Sequence, residues 1–243
     1  MLNQQTLDTL KNLCLSGMVE AYQNPPHDSL ALSFDERFGL IVDYEWTTRH
    51  NRKLARLLKE AKLRLPACLE DIDYQYPRSL DRELLMNLKS LLWLDPHQNI
   101  LISGPTGVGK SYIACAFGNA ACRHGFNTRY YRIPSLLTEL STAKGDGSYP
   151  RLRRNLARMT LLILDDWGLS PFTQLEGREL LEIIEDRFLL SSTIVVSQLP
   201  IESWHQLFVD PTIADAILDR LVHNAHRITM DGDSMRKLLH SPK

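Results

Sequence analysis

Cysteines are few in this 243-residue sequence, and none is placed as a metal ligand would be. The four of them, Cys14, Cys68, Cys115 and Cys122, form no CxxC pair and have no metal-ligand spacing. They are expected to be reduced thiols of a cytosolic protein, the last two packed within a helix.

Long hydrophobic runs are also missing. No apolar run approaches the roughly 18 residues that a membrane span needs, and no basic, apolar and small-residue leader opens the chain. With a hydrophobic content of 44%, these absences predict a soluble intracellular protein with a core large enough for one domain, or one domain and a small companion. Because 28 Lys and Arg nearly balance 29 Asp and Glu, overall charge indicates no partner.

Several catalytic patterns are absent as well. The eight histidines form no HExxH motif, and no Ser-His-Asp order or nuclease-like acid cluster is present. His223 and His226 flank a predicted helix end and are expected to be structural. We therefore predict that this chain neither cuts nor joins DNA strands.

The first part of the sequence is predicted to be helical. Apolar residues recur at helical spacing at Leu7, Leu10, Cys14 and Met18, and again at Leu54, Leu57, Leu58 and Ala61. NPPHDS at 24–29 breaks the pattern between the two sets. SFDE at 33–36 is a capping-box signature, with Ser33 as the cap and Glu36 reaching back. Pro66 is expected to end the long helix, which gives a helical domain over 1–66 and a linker over 67–77.

From residue 78 the pattern changes to alternating strands and helices. An amphipathic helix is predicted over 79–92, and short apolar runs predict strands at 99–103, 128–133, 161–164, 192–197 and 226–230. Strands that alternate with helices indicate an α/β domain over 78–243, built on a parallel sheet with helices on both faces.

A phosphate-binding loop lies between the first strand and the next helix. GPTGVGKS, residues 104–111, matches G-x-x-x-x-G-K-[ST], whose backbone N–H groups cradle phosphates at the start of a helix. Lys110 is expected to reach the β- and γ-phosphates, and Ser111 to offer its hydroxyl to Mg²⁺. The predicted nucleotide contacts are Gly104, Pro105, Thr106, Gly107, Val108, Gly109, Lys110, Ser111 and Tyr112.

Two adjacent aspartates end the apolar strand in LLILDDWG, residues 161–168. In phosphate-loop enzymes a neighbouring strand ends in an acid that holds Mg²⁺, which is the role predicted for Asp165. Asp166 lies one residue further on and is a candidate for orienting an attacking water; the alternative is a turn residue. The pair favours ATP hydrolysis over phosphoryl transfer to a small acceptor.

Four motifs in this order, GPTGVGKS, LLILDDWG, SQLP (197–200) and ILDRL (217–221), resemble the AAA+ ATPases. More narrowly, the sequence resembles the IstB-like transposition helpers and their DnaC-like helicase-loader relatives over most of its length. The resemblance implies an AAA+ parallel sheet flanked by helices, preceded by a small all-α N-terminal domain. It also implies ATP and Mg²⁺ as cofactors, and duplex DNA and a transposase as partners.

The resemblance assigns further residues. Asp166 takes the place of a catalytic glutamate and is one methylene shorter, so slow hydrolysis is expected. Gln198, with Ser197 beside it, is placed as the sensor of the γ-phosphate, with strand-end capping as the alternative. Arg220 is placed as an arginine finger donated in trans within a homo-oligomer, the alternative being a surface arginine paired with Asp219 or Asp215.

A second sensor is also suggested, at Arg236. The chain is expected to lack the helical lid that normally carries this residue.

Two basic stretches are candidates for DNA contact, against the alternative of solvated charged faces. RHNRKLARLLKEAKLR (49–64) has seven basic residues and one acid, and an acidic partner surface is a second possibility. The other stretch, 144–158, combines a KGDGSYP segment expected to be mobile with a short basic helix. Because neither stretch has interleaved aromatics, duplex backbone contacts are favoured. The candidates are Arg49, Arg52, Lys53, Arg56, Lys144, Arg151, Arg153, Arg154 and Arg158.

These features predict an ATP-dependent transposition helper that assembles on duplex DNA in a ring or spiral and recruits or activates a transposase. A replicative helicase loader is the closest alternative. A metabolite kinase is a third, which would work without any assembly.

Overall fold

A computed structural model describes residues 2–25 and 32–235 of the protein. The chain divides into two compact units, residues 1–56 and 57–243. In the part of the chain that the structure describes, every helix is too short or too polar to cross a membrane.

The first unit is helical, as predicted. It contains α1 (Leu2–Asn12), α2 (Ser16–Gln23) and most of α3 (Phe34–Ala61), which ends in the second unit. The apolar residues that keep helical spacing from Leu7 to Met18 are divided between two helices, because the chain turns at Cys14, whose φ of 57° lies in the left-handed region. The predicted break at 24–29 lies mostly outside the described residues.

Helix α3 begins at the predicted capping box. The Ser33 N–H donates to the Glu36 carboxylate at 2.8 Å, and the Glu36 N–H donates to the Ser33 hydroxyl at 3.4 Å. Helix α2 packs so closely on α3 that a Cβ on Gly17 would lie 2.8 Å from the Cα of Glu45. The buried Glu45 carboxylate accepts the Met18 N–H at 2.9 Å and pairs with Arg49, which ties the two helices together.

The second unit alternates strands and helices, and all five predicted strands are confirmed. Its elements are α4 (Arg82–Leu88), β1 (Asn99–Ser103), α5 (Lys110–Arg123), β2 (Thr128–Arg132), α6 (Ile133–Asp146), α7 (Tyr149–Ala157), β3 (Leu161–Trp167), α8 (Gln174–Arg187), β4 (Ser192–Ser197), α9 (Pro211–Val222) and β5 (Ala225–Thr229). Short 3₁₀ helices lie at Leu92–Leu94 and Ile201–Leu207.

Three segments differ from the sequence prediction. The helix predicted over 79–92 is shorter, because Asp81 caps its start and Leu91 takes a φ of 58° that ends helical geometry. The predicted linker 67–77 is irregular, yet it buries three apolar side chains in the core, those of Ala67, Leu69 and Ile72. In the segment predicted to be mobile, 144–146 belong to α6, and only 147 and 148 separate it from α7.

The sheet is entirely parallel, with strand order β2-β3-β4-β1-β5. Alternate residues of each strand enter two apolar clusters on opposite faces: Ile100 and Ile102 pack beneath α5, and Leu101 packs with α8 and α9. Burial on both faces explains why the three central strands, β3, β4 and β1, are largely continuous apolar runs. This order places β4 between β1 and β3, so the segments that follow these three strands meet at one edge of the sheet.

Candidate nucleotide site

The phosphate-loop sequence forms a tight turn between β1 and α5. Gly104, Gly107 and Gly109 take φ values of 144°, 91° and 104°, which side chains rarely adopt. A Cβ on Gly104 would lie 2.0 Å from the carbonyl oxygen of Met230, so only glycine lets the loop pass this neighbour. The loop leads directly into the N-terminus of α5, where the first N–H groups and the helix dipole favour an anion.

Lys110 folds back over this loop. Its ammonium donates to the carbonyl oxygens of Gly104 at 2.6 Å and Pro105 at 2.7 Å. Ser111 follows within the first turn of α5 and lines the same cleft. Lys110, predicted to bind phosphate, and Ser111, predicted to bind Mg²⁺ through its hydroxyl, therefore lie side by side at the cleft.

A β-bulge brings both aspartates to the cleft. The register between β3 and β4 shifts between Leu164 and Trp167, and Asp166 takes a φ of 60°. In a regular strand, adjacent side chains point to opposite faces of the sheet. Here the extra residue and the left-handed backbone of Asp166 change the direction of its side chain. Both carboxylates consequently line one cleft.

The two aspartates have different environments. Asp165 is 1% exposed, and its two carboxylate oxygens accept the Tyr130 hydroxyl at 2.7 Å and the Asp166 N–H at 2.8 Å. Burial, reinforced by the hydrogen bond to Asp165, raises the pKa of Tyr130 well above its ordinary value, so this hydroxyl stays a donor. The Asp166 carboxylate pairs with Arg132 from the end of β2, a bond that raises the pKa of Arg132.

Ser197 and Gln198 close the cleft between the loop and the aspartates. Ser197 serves the strand end, since its hydroxyl donates to the Trp167 carbonyl at 2.8 Å and accepts the Leu199 N–H at 3.0 Å. The side-chain oxygen of Gln198 accepts the Thr106 hydroxyl at 2.7 Å, which links β4 to the phosphate loop. Ser197 therefore makes the hydrogen bonds of a strand-end cap, whereas the Gln198 side chain bonds the phosphate loop.

The cleft has a volume of about 600 Å³, within the range of small-molecule sites. Sequence reasoning missed one wall of it, contributed by Arg64, Leu65, Asp71, Asp73, Arg78 and Met235. Arg78 is 2% exposed and donates to the Asp73 carbonyl at 2.6 Å, and burial lowers its pKa. The segment 64–78 has no periodicity or motif, so only the fold identifies it as part of the site.

The chain that follows β5 returns to the phosphate loop. The Met230 N–H donates to the Ser103 carbonyl at 2.9 Å, and the Met235 N–H donates to the Gly107 carbonyl at 3.0 Å. Arg236, the suggested second sensor, lies outside the described residues.

Arg220 lies at the opposite edge of the sheet. Its carbonyl accepts the side-chain amide of Asn99, the first residue of β1, at 3.3 Å. Its guanidinium donates to Glu185 at 2.8 Å and to the Ala216 carbonyl at 2.9 Å, and packs 5.8 Å from the ring centre of Phe188. The paired acid is therefore Glu185, rather than the Asp219 or Asp215 of the sequence alternative.

The basic candidates fall into two groups. Several are engaged within the fold: Arg49 pairs with Glu45, Arg52 bonds Ser16, Lys144 pairs with the buried Glu179 at 2.6 Å, and Arg153 pairs with Glu182 at 2.7 Å and with Asp186. Arg153 and Lys144 thereby hold α6 and α7 against α8. The remaining candidates project from exposed helix faces, namely Lys53, Arg56, Arg151, Arg154 and Arg158.

The two histidines predicted to be structural lie at the end of α9 and in β5. His226 bonds the Gln98 side chain at 2.8 Å, and His223 lies 3.2 Å from Asp219 at the end of α9. Among the described side chains, no three His, Cys, Asp or Glu groups converge as a metal site.

Two comparisons by sequence find the same family. The sequence model of the IstB-like ATP-binding protein family matches residues 8–242. An insertion-sequence ATP-binding protein of Sinorhizobium fredii is 50% identical to the chain, over 98% of each protein.

Solved structures show the fold alone. AMPPCP-bound DnaA from Aquifex aeolicus matches with a TM-score of 0.59 and 20% identity, over 73% of this chain and 54% of that one. The DnaC helicase loader matches with a TM-score of 0.56 and 16% identity, over 70% of this chain and 99% of that one. With its AAA+ fold and a family match over nearly its whole length, the chain belongs to the IstB-like ATP-binding proteins.

Proposed function

We propose that this chain hydrolyses ATP, assembles on duplex DNA, and recruits or activates an insertion-sequence transposase. Hydrolysis acts as the switch between assembly and release. One observation carries the proposal: the phosphate loop, both aspartates and Gln198 meet in one cleft of an insertion-sequence family member. The activity belongs in the cytoplasm, where the four free thiols stay reduced.

The phosphate loop holds the triphosphate. The Lys110 ammonium, now on two loop carbonyls, exchanges these neutral acceptors for β- and γ-phosphate oxygens, which form stronger charge-assisted bonds. Thr106 and Gln198 approach the same phosphates from the facing side. The wall formed by 64–78 is left for the base and ribose.

Ser111 and Asp165 are the residues that hold Mg²⁺. Both metal ligands are hard oxygens, and the two hydrogen bonds that the Asp165 carboxylate accepts fix its orientation. When bound, the cation neutralises charge on the β- and γ-phosphates. A site with few protein ligands suits Mg²⁺, which usually keeps waters and phosphate oxygens as its other ligands.

Asp166 orients and polarises the attacking water. Its carboxylate is engaged by Arg132, so water and Arg132 compete for the same oxygens. Together with the short reach of an aspartate, this competition makes the isolated chain a slow ATPase. Contact with DNA or a partner that moves Arg132 stimulates turnover.

Arg220 acts on the nucleotide of a second copy. The sheet is parallel, and a five-residue strand is about 17 Å long. Arg220 lies beside the first residue of β1, whereas the phosphate loop follows the last. It therefore completes a neighbour's site in a ring or spiral, and not its own.

Duplex DNA binds along exposed basic helix faces. Arg151, Arg154 and Arg158 on and beside α7 supply phosphate contacts, with Lys53 and Arg56 on α3. Arg49, Arg52, Lys144 and Arg153 support these helices through the intramolecular bonds described above. Contacts of this kind give salt-dependent binding with little sequence preference.

Sedimentation with ATP, ADP or no nucleotide, each with a long duplex, a single strand or no DNA, tests the proposal. Large assemblies that need both ATP and duplex are expected, and Lys110→Ala should abolish them. Asp166→Asn should bind ATP, hydrolyse it poorly and stay on DNA longer. A monomer under every condition would contradict the proposal.

A replicative helicase loader is the second candidate, favoured by the likeness of fold to the DnaC helicase loader. A preference for single strands in the same experiment would support it. So would capture of a replicative helicase by a fragment containing residues 1–66, the predicted N-terminal domain.

A further inference from the structure

An exposed apolar turn connects α8 to β4 at the amino edge of the sheet. Leu189 and Leu190 are 55% and 70% exposed, and Phe188 is 39% exposed. Leu189 takes a φ of 56°, a conformation that a leucine adopts only at a cost. Glycine or asparagine would suit this turn better, so a large apolar side chain here has no local advantage.

This turn, residues 188–190, lies beside Arg220. The Arg220 guanidinium packs 5.8 Å from the ring centre of Phe188 and bonds Glu185 in the last turn of α8. A cation is therefore fixed at the margin of an exposed apolar protrusion. Both belong to the edge of the sheet opposite the nucleotide cleft.

A groove of matching character lies at the carboxyl edge, beside Asp166. It has a volume of about 390 Å³ and runs between the start of α6 and the loop from β3 to α8. Its apolar lining includes Ile133, Pro134, Leu137 and Leu169, and Leu169 is 57% exposed. The Asp166 carboxylate lies at the margin of this groove, as Arg220 lies at the margin of the turn.

We propose that the turn 188–190 of one copy occupies this groove in a second copy. The proposal rests on the trans role of Arg220 and names the surfaces that would deliver it. The apolar turn meets the apolar groove, and Arg220, which now pairs with Glu185, arrives beside Asp166, which now pairs with Arg132. Docking in this register brings Arg220 to the cleft that contains Asp166.

The location of the two surfaces determines the kind of assembly. Because they lie at opposite edges of a parallel sheet, each copy presents a free turn at one end and a free groove at the other. When two copies meet through one turn and one groove only, the interface is heterologous and repeats head to tail, giving a ring or an open spiral. An antiparallel two-fold dimer would instead pair both turns with both grooves, so assemblies larger than a dimer require the head-to-tail arrangement.

Site-directed crosslinking tests this pairing. Leu190→Cys and Leu169→Cys are made separately in a Cys14→Ser, Cys68→Ser background, since Cys115 and Cys122 are buried. The two proteins are mixed with a short bis-maleimide, with and without ATP and duplex. Crosslinked dimers are expected in the mixture with ATP and duplex, and neither variant alone should form them.

Leu92→Cys is the matched control, because Leu92 is also 70% exposed and lies in a different segment. Mixed with Leu169→Cys, it should give no crosslink. Equal crosslinking by the control, or dimers in a sample of Leu190→Cys alone, would overturn the inference.

A charge substitution provides the second arm. Leu190→Asp should raise the protein concentration needed for ATP-dependent assembly at least tenfold while leaving ATP binding unchanged, and Leu92→Asp should have no effect. Wild-type assembly with no crosslink between 190 and 169 would overturn this inference and leave the proposed function standing. Absence of wild-type assembly in every condition would overturn both.

Discussion

The hydrogen bond from Tyr130 to Asp165 offers a direct test of the site. Tyr130→Phe removes a hydroxyl that lies 2.7 Å from a carboxylate oxygen of a residue only 1% exposed. A hydrogen bond to a charged group is worth about 1.5–3 kcal/mol, and its loss leaves a buried oxygen without that donor. The unfolding equilibrium should therefore shift by roughly 10- to 150-fold toward the unfolded state.

The size of this effect should depend on ligand. For a unit of this size, a loss of about 1.5–3 kcal/mol lowers Tm by about 3–12 °C. If Asp165 holds Mg²⁺, the bound cation compensates the carboxylate, and the penalty should shrink in saturating Mg²⁺ and ATP. Urea unfolding and thermal melts, each with and without Mg²⁺ and ATP, measure both quantities.

Tyr131→Phe is the matched control. Tyr131 is the next residue in β2, packs in the cluster on the other face of the sheet, and donates to Glu139 at 3.2 Å. The stability lost in Tyr131→Phe should be smaller than in Tyr130→Phe and should not depend on Mg²⁺ and ATP. If Tyr130→Phe costs no more than Tyr131→Phe, or costs the same with and without the ligand, the assigned role of Asp165 is wrong.

Three further predictions concern pH, trans catalysis and DNA binding. The pKa of Tyr130 is raised above its ordinary 10.0, so the Tyr130 hydroxyl stabilises the fold fully below about pH 10, and this stabilisation is lost as the pH rises further. Above about pH 10, the stability of Tyr130→Phe should therefore fall less steeply than that of the wild type in pH-dependent melts. Mixing inactive Lys110→Ala with inactive Arg220→Ala should restore ATPase activity, because one supplies the finger and the other the nucleotide; no recovery would exclude the trans role. Arg151→Gln should lower the salt slope of duplex binding by about 0.9. Arg153→Gln should instead lower Tm and leave that slope unchanged.

Local sequence patterns predicted most of the second unit and the start of α3 in the first. The strands at 99–103 and 192–197 match their apolar runs, because strands covered on both faces need continuous apolar residues. The capping box at Ser33 and Glu36 also formed as predicted, since both partners lie within one turn. The predictions failed where a single residue left the regular backbone, at Cys14 and at Leu91, because left-handed conformations of such residues have no signature in the sequence.

The sequence by itself determined the phosphate loop, the acids near the end of the third strand and the alternation of strands and helices, because these depend on residues close together in the chain. The tertiary structure alone decided what these residues meet. It inserted the bulge that brings Asp166 to the cleft that Asp165 also lines, and it folded 64–78 into the cleft wall. It also paired Arg153 with α8 and placed Arg220 at the edge opposite the phosphate loop. Strand order and side-chain pairing depend on contacts between distant segments, and their energies are set only when the whole sheet packs.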